Sequence, residues 1–424
     1  MIFYKETEFQ DSSIGIIPKD WEVTNLSGAS LLVTDGSHFS PKHQSSGYPL
    51  ATVANMREND IDVNSCYRIT KEDYEKLVAT GDKPEVNDIL FSKDGTVGQC
   101  IVFSQKVDLI VLSSIAIIRP NLKKVNPYFL KYMLQSPAAL GRIIGSKTGS
   151  AIKRIILRDL NSIKIALPNK LEEQKNIVEV LTIVDSAIEL ADRVIAKTER
   201  LKKGLMQQLL TRGIGHTEYK DTLIGKTPKT WQTVKLEDIS DDFIGGGTPS
   251  TSNSEYWNGD IAWMTSAHIS GRLITAGQKY ITKKGVEGSA THIVPKNNLL
   301  VATRVGIGKV AINKIDIAIS QDLTGVTINK EKALPEFLYW VLRNSTHKLS
   351  SLAQGSTIKG ILREDLGRLS IPLPSLPEQK KIDEILSTVD KKLELDREER
   401  TRLESVKRGL MDLFLTGKVR VKVV

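Results

Sequence analysis

The sequence predicts an α+β protein of two β-rich domains and two long helices, and three observations predict it. First, the chain is written twice: Ile14-Gly15 and Pro18-Lys19-Asp20-Trp21 return 210 residues later as Ile224-Gly225 and Pro228-Lys229-Thr230-Trp231. Glu173-Gln174-Lys175 and Lys203-Gly204-Leu205-Met206 return 205 residues later as Glu378-Gln379-Lys380 and Arg408-Gly409-Leu410-Met411. A step this long marks a duplicated module, since solenoid periods run to only about 20–50 residues. Second, each copy opens with a glycine-punctuated part whose short apolar runs are bounded by turn formers. Third, each copy closes with a long stretch of helical spacing. Two similar modules imply two similar jobs on one partner, or a pseudo-two-fold shape.

The elements follow in order. Asp88-Ile89-Leu90-Phe91-Ser92 and Asn298-Leu299-Leu300-Val301-Ala302 read as strands, and Val97-Gly98 and Ile307-Gly308 after them as hairpin turns or bulges. Residues 109–118 are too short an apolar run to span a membrane and read as one buried strand around Ser113-Ser114. Pro127 and Pro335 open short helices over 128–134 and 336–342, proline being tolerated at the first helical position. In the long stretches Ile177, Leu181, Val184, Ile188, Ala191 and Ile195 alternate steps of four and three residues, as do Ile382, Leu386, Val389 and Leu393. Leu403, Val406, Leu410 and Leu413 resume that coiled-coil seam beyond the charged Asp396–Arg400 stretch. Leu167-Pro168 and Leu373-Pro374, with Pro372 and Pro377, fix where these helices start. A helix of about 40 residues is roughly 60 Å long, so it is an arm, and two such arms most simply pack together.

Composition narrows the function. At 424 residues, 40% hydrophobic and 26% charged, the chain suits two or three globular domains. Its start carries no apolar signal segment, and Cys66 and Cys100 are too few for a disulfide framework, which together predict a reducing cytoplasm. The net charge of +9 is unevenly placed: residues 1–170 carry +3, 213–375 +4 and the tail 417–424 +3, whereas 171–212 and 376–416 are close to neutral. A basic excess outside the arms is compatible with a nucleic-acid partner.

The candidate chemical motifs resolve into structural ones. Asn126-Pro127-Tyr128-Phe129 lacks the second proline of an amino-methyltransferase signature, and its counterpart Leu334-Pro335-Glu336-Phe337 loses the asparagine, so Asn126 is read as a helix cap. Glu173-Gln174-Lys175 and Glu378-Gln379-Lys380 resemble half of a metal-nuclease site, but they open helices, where glutamate suits the positive end. Gly245-Gly246-Gly247-Thr248-Pro249 lacks the Gly-Lys-Ser/Thr of a nucleotide loop and reads as a surface turn or a DNA-phosphate contact. No histidine or cysteine has zinc spacing, and no nucleophile–base pair recurs in both copies. Gly149-Ser150-Ala151-Ile152-Lys153 recurs as Gly355-Ser356-Thr357-Ile358-Lys359, small residues beside a lysine that suit either a phosphate backbone or a turn.

With the Glu-Gln-Lys entry, the long helix, the Lys-Gly-Leu-Met exit and the duplication together, the chain resembles the specificity subunits of type I restriction–modification systems over its whole length. The resemblance implies target-recognition domains at 1–170 and 213–375, each reading half of a bipartite DNA site. It implies central and C-terminal helical regions at 171–212 and 376–416, forming an antiparallel coiled coil that spaces the readers, ahead of the basic tail. It further implies a chain without catalysis or cofactor of its own. Such a chain docks two methyltransferase subunits using S-adenosylmethionine and restriction subunits using ATP and Mg. Since recognition domains differ with the DNA they read, candidate contacts come from predicted loops. They are Ser37, His38, Lys42, Lys93, Thr96, Lys147 and Lys153 in the first domain, and Thr248, Ser250, Thr251, Arg304, Lys309, Ser356 and Lys359 in the second. Arg304 leads, because an arginine fork suits guanine.

Overall fold

A computed structural model describes residues 2–81, 83–145, 154–353 and 360–422. Four helices organise it: α1 (Pro127–Gln135), α2 (Leu171–Leu209), α3 (Pro335–Asn344) and α4 (Leu376–Leu415). The chain forms two compact units, Met1–Asp192 with Glu398–Val424, and Arg193–Arg397. Both cuts fall inside the long helices, so each unit holds one half of α2 and one half of α4.

In the first unit a four-stranded antiparallel sheet runs in the order Ser30–Asp35, Ile115–Pro120, Ile89–Ser92, Cys100–Val102. Successive side chains of a strand point to opposite faces, and here both faces are covered, which is why the strands read as unbroken apolar runs. Ile89, Phe91, Ala116 and Ile118 join Phe129 and Leu130 of α1 in one core. Leu90, Ile101, Ile115 and Ile117 join Ala51 and Val111 in another. The second core is closed by a smaller sheet in which Tyr48–Ala51 pairs in parallel with Ile110–Val111. The apolar run at 109–118 is therefore two strands in two sheets, broken where Ser113 and Ser114 turn.

The second unit repeats the plan. Ser240–Gly245, Leu323–Ile328, Asn298–Ala302 and Val310–Asn313 form the same antiparallel order, extended by Leu273–Ile274. Leu299, Val301, Val310 and Ile312 pack with Phe337 and Leu338 of α3. Leu300, Ala302 and Ala311 pack against Met264, Ile317 and Ile319 of a second sheet, where Trp257–Met264 and Ile317–Ile319 are again parallel. Gly98 (φ +97°) and Gly308 (φ +90°) sit in the hairpins at a conformation glycine adopts freely.

Within each unit the two helix halves run antiparallel. In the first, Asp185 of α2 pairs with Lys407 of α4 at 2.6 Å and Asp192 pairs with Arg400, so residue numbers rise on one helix as they fall on the other. In the second, Thr198 reaches Asp396 at 3.5 Å and Lys202 pairs with Asp390. The Lys202–Asp390 and Lys407–Asp185 pairs occupy matching positions in the two copies. Ile177, Leu181, Ile188, Ile382, Leu386 and Leu393 are buried as the seam requires. Beyond Arg400 the seam expected from spacing holds in part: Leu403 and Leu410 are half-buried, Leu410 against the first core, whereas Val406 and Leu413 are exposed and Lys407, Met411 and Phe414 turn inward. Buried Asp185 draws Lys407 to the interface and rotates the apolar stripe away from Val406.

Both long helices start on the same built joint. Buried Gln174 accepts from Asn126 N at 2.8 Å and donates to the carbonyls of Lys124 and Pro168, both at 3.0 Å. Buried Gln379 does the same with Leu334 N, Lys332 O and Pro374 O. Glu173 is buried under Arg420, which also bonds Glu6 and Asp20. Glu378 accepts from His216 Nε2 at 2.9 Å, Ile214 N at 3.0 Å and Trp231 Nε1 at 3.0 Å. Within the basic tail Val419–Val421 pairs with Phe3–Lys5, and Arg420 is 4% exposed. Its carboxylate partners hold the guanidinium charge firmly, raising its pKa against the cost of burial.

Candidate nucleic-acid interface

In each unit one end of the central sheet gathers the long loops, and a glycine makes that possible. Where the chain leaves Ser30–Asp35 it crosses the backbone of Val111 so closely that a Cβ on Gly36 would lie 2.3 Å from that carbonyl oxygen. Where it leaves Ser240–Gly245, a Cβ on Gly246 would lie 2.1 Å from the carbonyl of Ile319. The next amide then bonds the crossed strand, Ser37 N to Val111 O at 2.8 Å and Gly247 N to Ile319 O at 3.0 Å. The glycine-rich run is thus a close crossing built twice, and the retained position is Gly36 and Gly246. Comparing the two copies at their 210-residue step picks it out.

Past the crossing the loops diverge. In the first unit His38, Phe39, Lys42 and His43 are exposed, and the His43 ring stacks on exposed Tyr67 with centroids 3.7 Å apart. In the second, Thr248, Ser250 and Thr251 are exposed; Thr248 Oγ1 donates to Gln321 Oε1 at 2.7 Å, and Trp257 Nε1 fixes the loop through Ser250 O at 3.0 Å. Arg304 N reaches Asp322 O at 3.4 Å, so the Thr248 and Arg304 loops converge on the short 320–322 segment. The Arg304 side chain is exposed, and Lys309 is half-buried with its methylenes over Gly306. Thr96 is exposed on the corresponding hairpin of the first unit, where its carbonyl accepts from Ser92.

Two expected contacts are internal instead. Lys93 is 1% exposed and paired with Asp35, so its ammonium holds the sheet end together and presents nothing to solvent. Ser37 is 3% exposed, its hydroxyl accepting from Phe39 N at 3.1 Å and donating to Phe39 O at 2.8 Å. Asp35 also faces His38 at 3.4 Å, linking the first loop to Lys93. Lys147, Lys153, Ser356 and Lys359 lie outside the described residues. The chain returns from those segments beside the same sheet end, Ile155 N bonding Lys93 O at 3.0 Å and Ile361 N bonding Thr303 O at 2.7 Å. His43 and Tyr67 carry no sequence signal because their stacking joins a loop to the start of the separate strand Tyr67–Ile69.

Among the described residues no group of acidic, histidine and cysteine side chains is arranged to hold a metal. Burial pushes the Cys66 thiol up to about 11, and Cys100 higher still, so neither is a ready nucleophile at neutral pH. No helix of the described residues is long and apolar enough to cross a membrane.

Residues 18–200 and 228–405 match the type I restriction modification DNA specificity domain, once in each copy of the repeat. The chain belongs to the specificity subunits of type I restriction–modification systems. It is 30% identical over 431 residues to the chain named as the MjaX type I restriction enzyme specificity subunit of Methanocaldococcus jannaschii, covering 99% of this chain and 98% of that one. It is 27% identical over 439 residues to the MjaVIII specificity subunit of the same organism, covering 100% and 98%. In fold it is similar to a chain solved in work on assembly and conformational transition of the type I system, with a TM-score of 0.60, 17% identity and 95% and 99% coverage. It is also similar to the S subunit from M. genitalium, with a TM-score of 0.57, 14% identity and 95% and 97% coverage. As a specificity subunit, the chain is a DNA-recognition component of a restriction–modification complex and not itself an enzyme.

Proposed function

We propose that each unit reads one half of a bipartite DNA site with the loops at its Gly36 or Gly246 sheet end, and that the arms set the gap between the halves. The observation that carries this reading is a common scaffold with diverged loops: the crossing, the sheet order and the helix joint recur, whereas the exposed residues beyond the crossing differ. Similar frames with dissimilar edges suit two half-sites of different sequence. His38, Lys42 and Thr96 are the contacts of the first half, joined by the His43–Tyr67 stack. Thr248, Ser250, Thr251, Arg304 and Lys309 are those of the second. Lys147, Lys153, Ser356 and Lys359, which lie outside the described residues, are further candidate DNA contacts by their residue type, small or cationic groups that suit a phosphate backbone. Ser37 and Lys93 support the first loop from inside.

The recognition domains are taken as 1–170 and 213–375, and the arms as 171–212 and 376–416. The partners are double-stranded DNA, two methyltransferase subunits that supply S-adenosylmethionine chemistry, and restriction subunits that use ATP and Mg. The complex works in the cytoplasm, where the host DNA is.

Arg304→Ala tests the reading. Mapping methylated adenines produced by the chain with its modification subunits should show relaxed preference at one base of one half-site, a loss of roughly 1–3 kcal/mol of discrimination. The other half-site should be unchanged. An identical site with uniformly weaker methylation would instead make Arg304 a phosphate contact.

A further inference from the structure

In each unit the second sheet sends one long loop back to the helical joint. In the second unit Trp257–Met264 pairs antiparallel with Lys279–Ile281, and residues 265–278 between them leave the sheet and return. In the first, Tyr48–Ala51 pairs antiparallel with Tyr67–Ile69, and residues 52–66 make the same excursion. These loops bear on reading because the strand gripped at each crossing, Ile317–Ile319 or Ile110–Val111, belongs to the sheet they leave.

Both loops land on the short helix, with different chemistry. In the first unit Asn59 Oδ1 accepts from Lys131 Nζ of α1 at 2.7 Å, and Lys131 is buried. In the second, Arg272 lies over the rings of Tyr339 and Trp340 of α3, 5.5 and 5.1 Å from their centroids. Tyr339 and Lys131 hold the same place after the opening proline of their helices. The Arg272 guanidinium goes further and pairs with Asp383 of α4, whose carboxylate also accepts from Trp340 Nε1 at 2.8 Å. The loop backbone beside it is fixed to the central sheet, Ile312 N bonding Arg272 O and Lys314 N bonding Ile274 O, both at 2.8 Å.

The clasp belongs to one copy only. At the 205-residue step Asp383 corresponds to Val178, which packs against the first core. Arg272 and Asp383 are 16% and 18% exposed. A guanidinium stacked on aromatic faces and paired with a half-buried carboxylate is held in one geometry, unlike an exposed ion pair.

We propose that Arg272 is a positioning residue that fixes the second recognition domain on its arm and so makes the chain selective for one gap length. This rests on the reading that the units read half-sites and the arms set the gap. With the clasp released, the sheet gripped at the Gly246 crossing can tilt on the arm, and sites whose gap is one base pair longer or shorter become acceptable. Arg272 is turned into the joint, so the bases of both half-sites stay the same.

The test is methylation, by the full chain with its modification subunits, of DNA carrying both half-sites at the native gap and at gaps one base pair longer and shorter. Thermal melting of each chain accompanies it. In Arg272→Met the ratio of off-gap to native-gap methylation should rise about tenfold. Arg272→Lys keeps the charge and loses the planar fork, so it should melt near the native chain and give an intermediate ratio. If Arg272→Met fails to fold, the Arg272→Lys ratio decides. A merely structural ion pair would lower Tm and weaken methylation uniformly with the ratio unmoved; that result, or altered half-site bases, overturns the proposal. A native chain indifferent to gap length would overturn arm-set spacing and this proposal together, whereas a gap-selective native chain with unmoved variants overturns this proposal alone.

Discussion

Gly36 and Gly246 show how much a single residue can fix. Neither has an unusual φ, yet each passes a carbonyl that any side chain would strike. Gly36→Ala and Gly246→Ala should each lower stability by about 1–3 kcal/mol or more, the cost of forcing backbone apart. Chemical denaturation measures this, and neutral substitutions would show that the crossing can yield. Arg420 is the second such residue. With it replaced by Met, Glu173 is left buried without its partner, at a cost of about 3–5 kcal/mol at neutral pH. The hydrogen bond from Arg420 holds the Asp20 carboxyl below its ordinary range. A lowered folded pKa contributes stability that is full above about pH 4 and lost as pH falls through the folded value. Urea midpoints of the native and Arg420→Met chains should therefore converge on acidification below about pH 4, and a constant gap would contradict this clasp. Lys93 marks where reading residues one at a time stops. A lysine after a strand looks like a loop cation, and its burial follows from Asp35, a partner brought in only by the folded sheet.

At the scale of elements, periodicity carried far. The strands at 89–92 and 298–302, the proline-opened helices and the two arms were legible because alternation and heptad spacing are local signals. The arm register beyond Arg400 was legible only at Leu403 and Leu410, which are half-buried. Two apolar phases compete there, and buried Asp185 selects the one that brings Lys407 inward, leaving Val406 and Leu413 outside. Gln174 and Gln379 were visible as a repeated letter, but two of the three backbone groups each satisfies lie far along the chain, 48 residues for Gln174 with Asn126 and 45 for Gln379 with Leu334. The arms also carry a direct prediction. Inserting about four residues at matched places in α2 and α4 adds roughly 6 Å. At ~3.4 Å per base pair the preferred gap should grow by about one or two base pairs, with both half-sites unchanged. New half-site bases at an unaltered gap would separate the arms from spacing.

In the whole molecule each copy of the repeat is proposed to be a complete reader, so that one copy used twice should suffice. The duplication made this readable from sequence, whereas the base-reading side chains remained hidden because the loops beyond each crossing share no pattern. The structure adds the joints that a half-chain needs. Lys202 with Asp390 matches Lys407 with Asp185, and His216 on Glu378 matches Arg420 on Glu173. A chain ending after His216 therefore carries one reader, one whole arm and the groups to clasp a second copy of itself, pairing Asp185 with the partner copy's equivalent of Lys202. Symmetric pairing requires a symmetric site. Sequencing the DNA methylated by this half-chain with its modification subunits is the most direct test. The half-site of the first unit should appear repeated in inverted orientation about a gap; the full asymmetric site, or a half-chain that stays monomeric at micromolar concentration, would overturn the two-reader architecture.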